Sequence, residues 1–320
     1  MQFPRTGQNF LKDLESLDTK REPIISELMY EGDVWMMAAD SGAGKSTVTT
    51  GLALCLSSGS PVFGVLNTKQ KRTYVLQTEG DYEESVERMR FMTKKIPVDG
   101  NFICWDTFKF LDLNNKQSEE EMIKRIEDSF KPEVIIIDPI YKLTSLDISE
   151  GPGALQVVRF SDRLKDKFGA TIVLIHHNTK ETSVISNGKE FKKADAYYGH
   201  SFIKNHITTS YSLTHEMGRQ SPSLVRKKGR GSNNLEKIHL HYDAESMTVQ
   251  MEMSKGTVLD RIKIFANTCK LNNRNTDFNE VQTTCGLSVA YLRKLKGDCL
   301  LNNVFEFKDG KQGRQDWIPL

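Results

Sequence analysis

The stretch Val34-Trp35-Met36-Met37-Ala38-Ala39-Asp40-Ser41-Gly42-Ala43-Gly44-Lys45-Ser46 decides the fold of this chain. Its first half is a continuous apolar run of strand length, and Lys45 to Leu56 reads as a helix. Between them lies a loop of small residues. That order gathers successive backbone N–H groups at the positive end of a helix, the arrangement that phosphate oxygens require. The loop fits the phosphate-binding spacing except that Ala39 stands in place of the first glycine. Ser41, Gly42, Ala43, Gly44, Lys45, Ser46 and Thr47 are therefore expected to bind a nucleotide. Lys45 would reach the β- and γ-phosphates and the Ser46 hydroxyl would ligate Mg2+.

Working outward, Val134-Ile135-Ile136-Ile137 and Thr171-Ile172-Val173-Leu174-Ile175 are further apolar runs separated by helix-length stretches. Thr73-Tyr74-Val75-Leu76 and Phe102-Ile103-Cys104-Trp105 are shorter ones. Strands apolar on both faces belong to a parallel sheet covered by helices, so an α/β core is expected. Asp138 ends its run and places a carboxylate at the carboxyl edge of that sheet, where it would hold Mg2+. Pro139 follows it, so the residue that activates water must come from elsewhere. After about residue 208 the rhythm alternates. Met247, Val249, Met251 and Met253 share one face of a half-exposed strand, which extends the parallel sheet with antiparallel strands through about residue 254.

The 320 residues allow roughly two domains. Lys+Arg 44 against Asp+Glu 42 leaves a net charge of +2, too little for nucleic-acid or membrane binding to follow from bulk charge. Apolar runs stay far short of the ~20 residues that span a bilayer. The five cysteines show no CxxC pair, which suits a reducing, cytoplasmic compartment. Residues 1–31, with Phe10, Leu11, Leu14 and Leu17 at helical spacing, form an N-terminal segment, a candidate subunit-contact arm before a core at 32–254.

Residues 257–320 read as a separate module. Asp277-Phe278-Asn279-Glu280 has capping-box spacing, and Ser288 can cap a second helix with Val289, Leu292, Leu295 and Cys299 on its apolar side. Val304-Phe305-Glu306-Phe307, then Asp309-Gly310 and a return through Trp317-Ile318, reads as a hairpin. Helix, turn, helix and hairpin resemble a winged helix. The module carries ten basic residues against seven acidic. Arg293, Lys294 and Lys296 fall on the second helix, where they would meet duplex DNA or form a solvated face of a module that packs on the core or on a protein partner.

Glu79 closes Tyr74-Val75-Leu76-Gln77-Thr78-Glu79-Gly80-Asp81 and lies between the phosphate loop and Asp138. That order resembles the RecA-like ATPases, and over roughly residues 22–254 the chain is similar to the hexameric DnaB-like helicases, especially the plasmid RepA-type branch. The resemblance implies that Glu79 polarises the attacking water. Ile175-His176-His177-Asn178-Thr179-Lys180 looks like the family's sensor element, in which His176 would touch the γ-phosphate; a one-residue slip would give that role to His177. Adjacent histidines on a strand face opposite ways, so the pair is not a metal site. Lys228-Gly229-Arg230-Gly231 resembles the family's Lys-x-Arg-x-Gly element, which implies that Arg230, with Lys228, reaches a neighbouring subunit's γ-phosphate. Read without the family, it is a basic hairpin tip in solvent.

In such ATPases the loops after the Asp138 and sensor strands grip DNA. The second, Asn178 to Gly199, carries Lys180, Lys189, Lys192 and Lys193, candidates for single-strand phosphate contacts. The reading is an ATP-dependent DNA motor, a ring-forming replicative helicase of a plasmid, phage or mobile element. Its cofactors would be ATP and Mg2+. Single-stranded DNA would lie in the pore of a homo-oligomer, the hexamer that the resemblance implies, with a primase or initiator protein as partner and no membrane. Two rivals stay open: a filament-forming recombinase with the same core chemistry, and an ATP-switched winged-helix regulator that binds duplex DNA.

Overall fold

A computed structural model describes Gly7 and residues 21–40, 42–109, 111–177, 183–186, 189–192, 200–215, 222–229, 235–252, 258–271, 275–285, 287–297, 301–302, 304–309 and 315–320. β1 (Pro23–Ile25) and β2 (Met29–Tyr30) form an antiparallel hairpin. β3 (Val34–Ala39) runs through the glycine loop into α1 (Lys45–Ser58), and β4 (Thr73–Gln77) into α2 (Tyr82–Met92). β5 (Ile103–Thr107) precedes α3 (Lys116–Ser129). β6 (Val134–Asp138) leads to a 3-10 turn (Ile140–Lys142) and α4 (Gly151–Phe168). β7 (Thr171–His177) is followed by β8 (Ser183–Ser186), β9 (Lys189–Lys192) and α5 (Ser201–His206). Then come β10 (Thr209–His215), β11 (Pro222–Gly229), β12 (Lys237–Asp243) and β13 (Thr248–Met251).

One nine-stranded sheet organises the core, in the order β13-β12-β11-β10-β3-β7-β6-β4-β5. From β5 to β10 every neighbouring pair is parallel, and β11, β12 and β13 add on antiparallel. The expected parallel sheet with an antiparallel extension is the one that forms. β7 lies between β3 and β6, so the phosphate-loop strand and the Asp138 strand are not neighbours. Met247 sits in the turn before β13 with φ 53, rather than in the strand its alternation suggested.

Each central strand is buried on both faces, as its unbroken apolar run requires. One face carries Trp35, Met37, Val75, Ile136, Val173 and Ile175 and packs on α1 and the β1–β2 hairpin. The other carries Met36, Leu76, Ile135, Ile137, Ile172 and Leu174 and packs on α3 and α4 through Ile126, Val157, Phe160 and Leu164. The period of two along a strand therefore decides which layer each residue joins.

A third cluster is drawn wholly from 262–317 and includes Ile262, Cys269, Val281, Leu292, Phe305 and Trp317. It joins α6 (Val258–Leu271), α7 (Phe278–Thr284), α8 (Val289–Gly297) and the hairpin β14 (Phe305–Asp309)–β15 (Gln315–Pro319). Asp277 caps α7 by accepting from the Glu280 amide at 2.9 Å, and Ser288 Oγ accepts from the Tyr291 amide at 3.2 Å. Asn267 of α6 donates to Glu27 at 2.9 Å, a contact with the β1–β2 hairpin. Among the described residues no helix is long and apolar enough to cross a membrane.

Candidate nucleotide site

The loop between β3 and α1 owes its shape to its glycines. Gly42 and Gly44 have φ 79 and 85, a region that L side chains rarely enter. Ala39 replaces a glycine without strain because it is still strand, in register with His177 on β7. Gly44 starts α1 with no side-chain cap and no acidic residue in the first turn. The first amides of α1 therefore keep their donors for an anion.

The carboxyl ends of β4 and β6 bring the chemistry to this loop. Lys45 Nζ lies 3.0 Å from Asp138 Oδ1, both side chains nearly buried. Lys45, Ser46, Gln77, Glu79, Arg88 and Asp138 line one cleft of about 130 Å3. Glu79 is exposed just beyond β4. The Gln77 amide holds its backbone by donating to the Glu79 carbonyl at 2.7 Å. Gln77 Oε1 in turn accepts from Ser85 at 2.8 Å and from the Trp105 indole at 2.7 Å. Thr78 donates its amide to the Asp138 carbonyl at 2.9 Å and its hydroxyl to the Pro139 carbonyl at 2.8 Å, locking the two strand exits together.

Strand parity separates the two histidines. His177 shares the α1 face with Gln77 and Asp138, whereas His176 is buried, 1% exposed, on the opposite side with Ile172 and Leu174. Burial and the Lys45 charge push the His177 pKa below its ordinary value, with Glu79 and Asp138 opposing them. The Tyr141 ring lies 5.3 Å from the His177 ring. The Tyr141 hydroxyl is pushed up to about 12 by burial and by its hydrogen bond to Glu79. The structure thus brings His177, not His176, to the Lys45–Glu79–Asp138 group.

A larger cavity of about 350 Å3 opens along α1 from Thr47. Val48, Leu52, Val62, Phe63, Ile96 and Val249 form its apolar walls, with Thr248, Gln250 and Lys95 at its polar rim.

The remaining expected residues divide by location. Ser41, Lys180, Lys193 and Arg230 lie outside the described residues, as do all but Gly7 of the first twenty, with the helical pattern at Phe10 to Leu17. Lys189 and Lys192 fall on β9, of which the backbone alone is described. Lys228 donates to the Lys204 carbonyl at 2.6 Å, at the C-terminal end of α5 in its own chain. Arg293 and Lys294 are exposed on α8 beside exposed Val289 and Tyr291. Lys296 instead turns inward. It donates to Gln315 and lies over the Phe307 and Trp317 rings at 4.9 and 5.4 Å.

Sequence reasoning missed Gln77, Arg88, Trp105 and Tyr141. Arg88 had a usable signal: it shares a helix face with buried Ser85 and Met92, three and four residues away, so it could not be read as a solvated charge. Tyr141 had none, because its role depends on a 3-10 turn that no residue pattern announces.

A parallel sheet with a phosphate loop, an acidic strand end and a glutamate facing one cleft defines a RecA-like P-loop ATPase. Residues 4–183, more than half of the chain, match the AAA domain family, and the chain belongs to it. Among solved structures it is similar to one described as an isolated ATPase domain, with 10% identity and a TM-score of 0.52 over 75% of this chain and 95% of that one. It is also similar to a DnaB-like replicative helicase solved for its interactions with primase, with 9% identity and a TM-score of 0.54 over 75% of this chain and 66% of that one. At these identities the likeness is one of fold. No curated protein matches.

Proposed function

We propose that this chain is an ATP-driven DNA motor, a ring-forming replicative helicase of a plasmid, phage or mobile element. The observation that carries the reading is the single cleft that gathers Lys45, Ser46, Glu79 and Asp138 at the carboxyl edge of the sheet. The α1 amides and Lys45 would bind the phosphates, Lys45 exchanging its Asp138 partner for a phosphate oxygen. The cavity that begins at Thr47 has room and apolar wall for the base.

Asp138 and Ser46 offer hard oxygen donors on the same cleft, which fits Mg2+, an ion held by one or two carboxylates together with substrate phosphates. When bound it would neutralise phosphate charge. Glu79, exposed at the mouth of the cleft, takes the proton of the attacking water. His177 stands where a γ-phosphate sensor must stand, at the end of β7 and ahead of the lysine-bearing segment 178–199.

The DNA part of the reading rests on three supports. The fold is shared with a DnaB-like replicative helicase, that segment is basic, and α8 presents Arg293 and Lys294 beside Tyr291 on an exposed face. Residues 257–320 are read as a winged-helix-like domain that contacts duplex DNA or a primase or initiator protein, and residues 1–31 as the arm that contacts a neighbouring subunit. Arg230 would complete the site of a neighbour in the ring, a contribution of ~10³–10⁵ in rate.

ATP hydrolysis measured against protein concentration, with and without single-stranded DNA, tests the reading. A rate per subunit that rises with concentration and with single strands is expected. A slow rate indifferent to both would overturn the motor and favour a duplex-binding regulator built on α8.

A further inference from the structure

We propose that Tyr141 is the positioning residue of Glu79, fixing the carboxylate through its hydroxyl and joining it through its ring to His177. The inference rests on the assignment of Glu79 as the base and goes beyond it. Everything around Glu79 except its carboxylate is already held. Gln77 fixes its carbonyl at 2.7 Å, and Thr78 is tied to the Asp138 and Pro139 carbonyls at 2.9 and 2.8 Å. The side chain itself is exposed and long, so it would sample several rotamers, most of them unproductive for a water held at a phosphate.

Tyr141 supplies the missing constraint. It sits in the 3-10 turn directly after Asp138, and the turn is anchored on both sides of it by buried Ile140 and Leu143. Leu143 N donates to the Ile140 carbonyl at 3.1 Å, and Leu113 N to the Leu143 carbonyl at 2.8 Å. From this fixed turn the hydroxyl hydrogen-bonds the Glu79 carboxylate. Burial with Glu79 and Asp138 nearby keeps the phenol protonated, so Tyr141 donates and Glu79 accepts at any working pH. The groups facing the ring are His177 at 5.3 Å and the Lys142 ammonium at 5.4 Å. A single side chain therefore touches the base and the histidine that ends β7. A shift of β7's end would be felt by the carboxylate through one rigid ring.

The test uses the full chain in four forms: wild type, Tyr141→Phe, Glu79→Gln and the double variant. Steady-state and single-turnover hydrolysis would be read beside the affinity for a fluorescent ATP analogue and the thermal midpoint. Tyr141→Phe keeps the ring and loses the hydroxyl. Its kcat should fall by about 10–100-fold, the worth of a hydrogen bond to a charged group. Nucleotide affinity and thermal midpoint should stay at wild-type values. In the Glu79→Gln background the same change should cost nothing further, because the group it positions is gone. Wild-type kcat in Tyr141→Phe, or an equal loss in both backgrounds, would overturn the proposal while leaving Glu79 as base. Normal hydrolysis by Glu79→Gln would overturn the base assignment and the proposal with it.

Discussion

Replacing His176 and His177 separately by alanine should give opposite phenotypes, although the two are neighbours in sequence. His176 is 1% exposed beneath α4, on the face with Ile172 and Leu174. Removing a buried ring leaves a cavity in a close-packed layer, which costs about 2–4 kcal/mol by comparison with other large-to-small core changes. For a domain of this size 1 kcal/mol moves the thermal midpoint by about 2–4 °C, so a fall on the order of 4–16 °C is expected. Hydrolysis at a temperature where the variant is still folded should change little.

His177 is half-buried at the strand end, and its loss should cost under about 1 kcal/mol of stability. It should lower ATP turnover by about 10²-fold, the typical worth of a polar group aimed at developing charge. Circular dichroism melts and turnover measured on the same preparations decide the matter. A stable, inactive His176→Ala beside an unstable, active His177→Ala would mean that strand parity in β7 has been read backwards.

Three other outcomes follow from particular contacts. The His177 pKa is lowered in the fold, so below its unfolded value of about 6.5 the unfolded chain takes up the proton first; stability should decline as pH falls through that window, and chemical denaturation from pH 7 to 5 should show a shallower decline in His177→Gln. Gly153→Ala would place a Cβ 2.4 Å from the Asp147 carbonyl oxygen, which is backbone and cannot rotate away; a loss of about 1–3 kcal/mol should appear in the thermal midpoint, and an unchanged midpoint would refute the tight approach. Arg293→Glu with Lys294→Glu should weaken DNA binding and flatten its salt dependence at unchanged stability, whereas Lys296→Glu should destabilise the α8–hairpin packing by stripping a cation from two aromatic rings.

The parts of this fold that the sequence made legible are those in which one local pattern has one structural solution. Val34–Ala39 and Val134–Asp138 are apolar on both faces because they lie inside a parallel sheet, and no solvent-facing element would carry such runs. The glycines at 42 and 44 are legible for a similar reason, since their φ values exclude most alternatives. His176 and His177 mark the limit. Period two says that they part company, but which one meets the nucleotide depends on the face that receives α1, a tertiary fact. Lys296 fails in the same way: its type and helix predict a solvated or DNA-facing cation, and only the return of β15 places two aromatic rings beneath it.

The same parity explains why the catalytic group is built from strand ends rather than from a continuous segment. Gln77, Asp138 and His177 end β4, β6 and β7 on one face, and α1 lies on that face. Each is thus aimed at the phosphate loop by a rigid strand, and their spacing is set by the hydrogen-bonded ladder rather than by loop conformation. Glu79 is the exception, two residues past its strand and exposed. A base that must approach water cannot be locked into the ladder, and the cost is rotamer freedom. Bonds from Gln77, Thr78 and Tyr141 to the Glu79 segment remove that freedom from three directions, and all three donors are themselves fixed at the exits of β4 and β6. If precision at Glu79 comes from this surrounding shell, Gln77→Leu should lower kcat in the way that Tyr141→Phe does, without weakening nucleotide binding. A Gln77→Leu chain that turns over normally would mean that the strand exit alone orients the base.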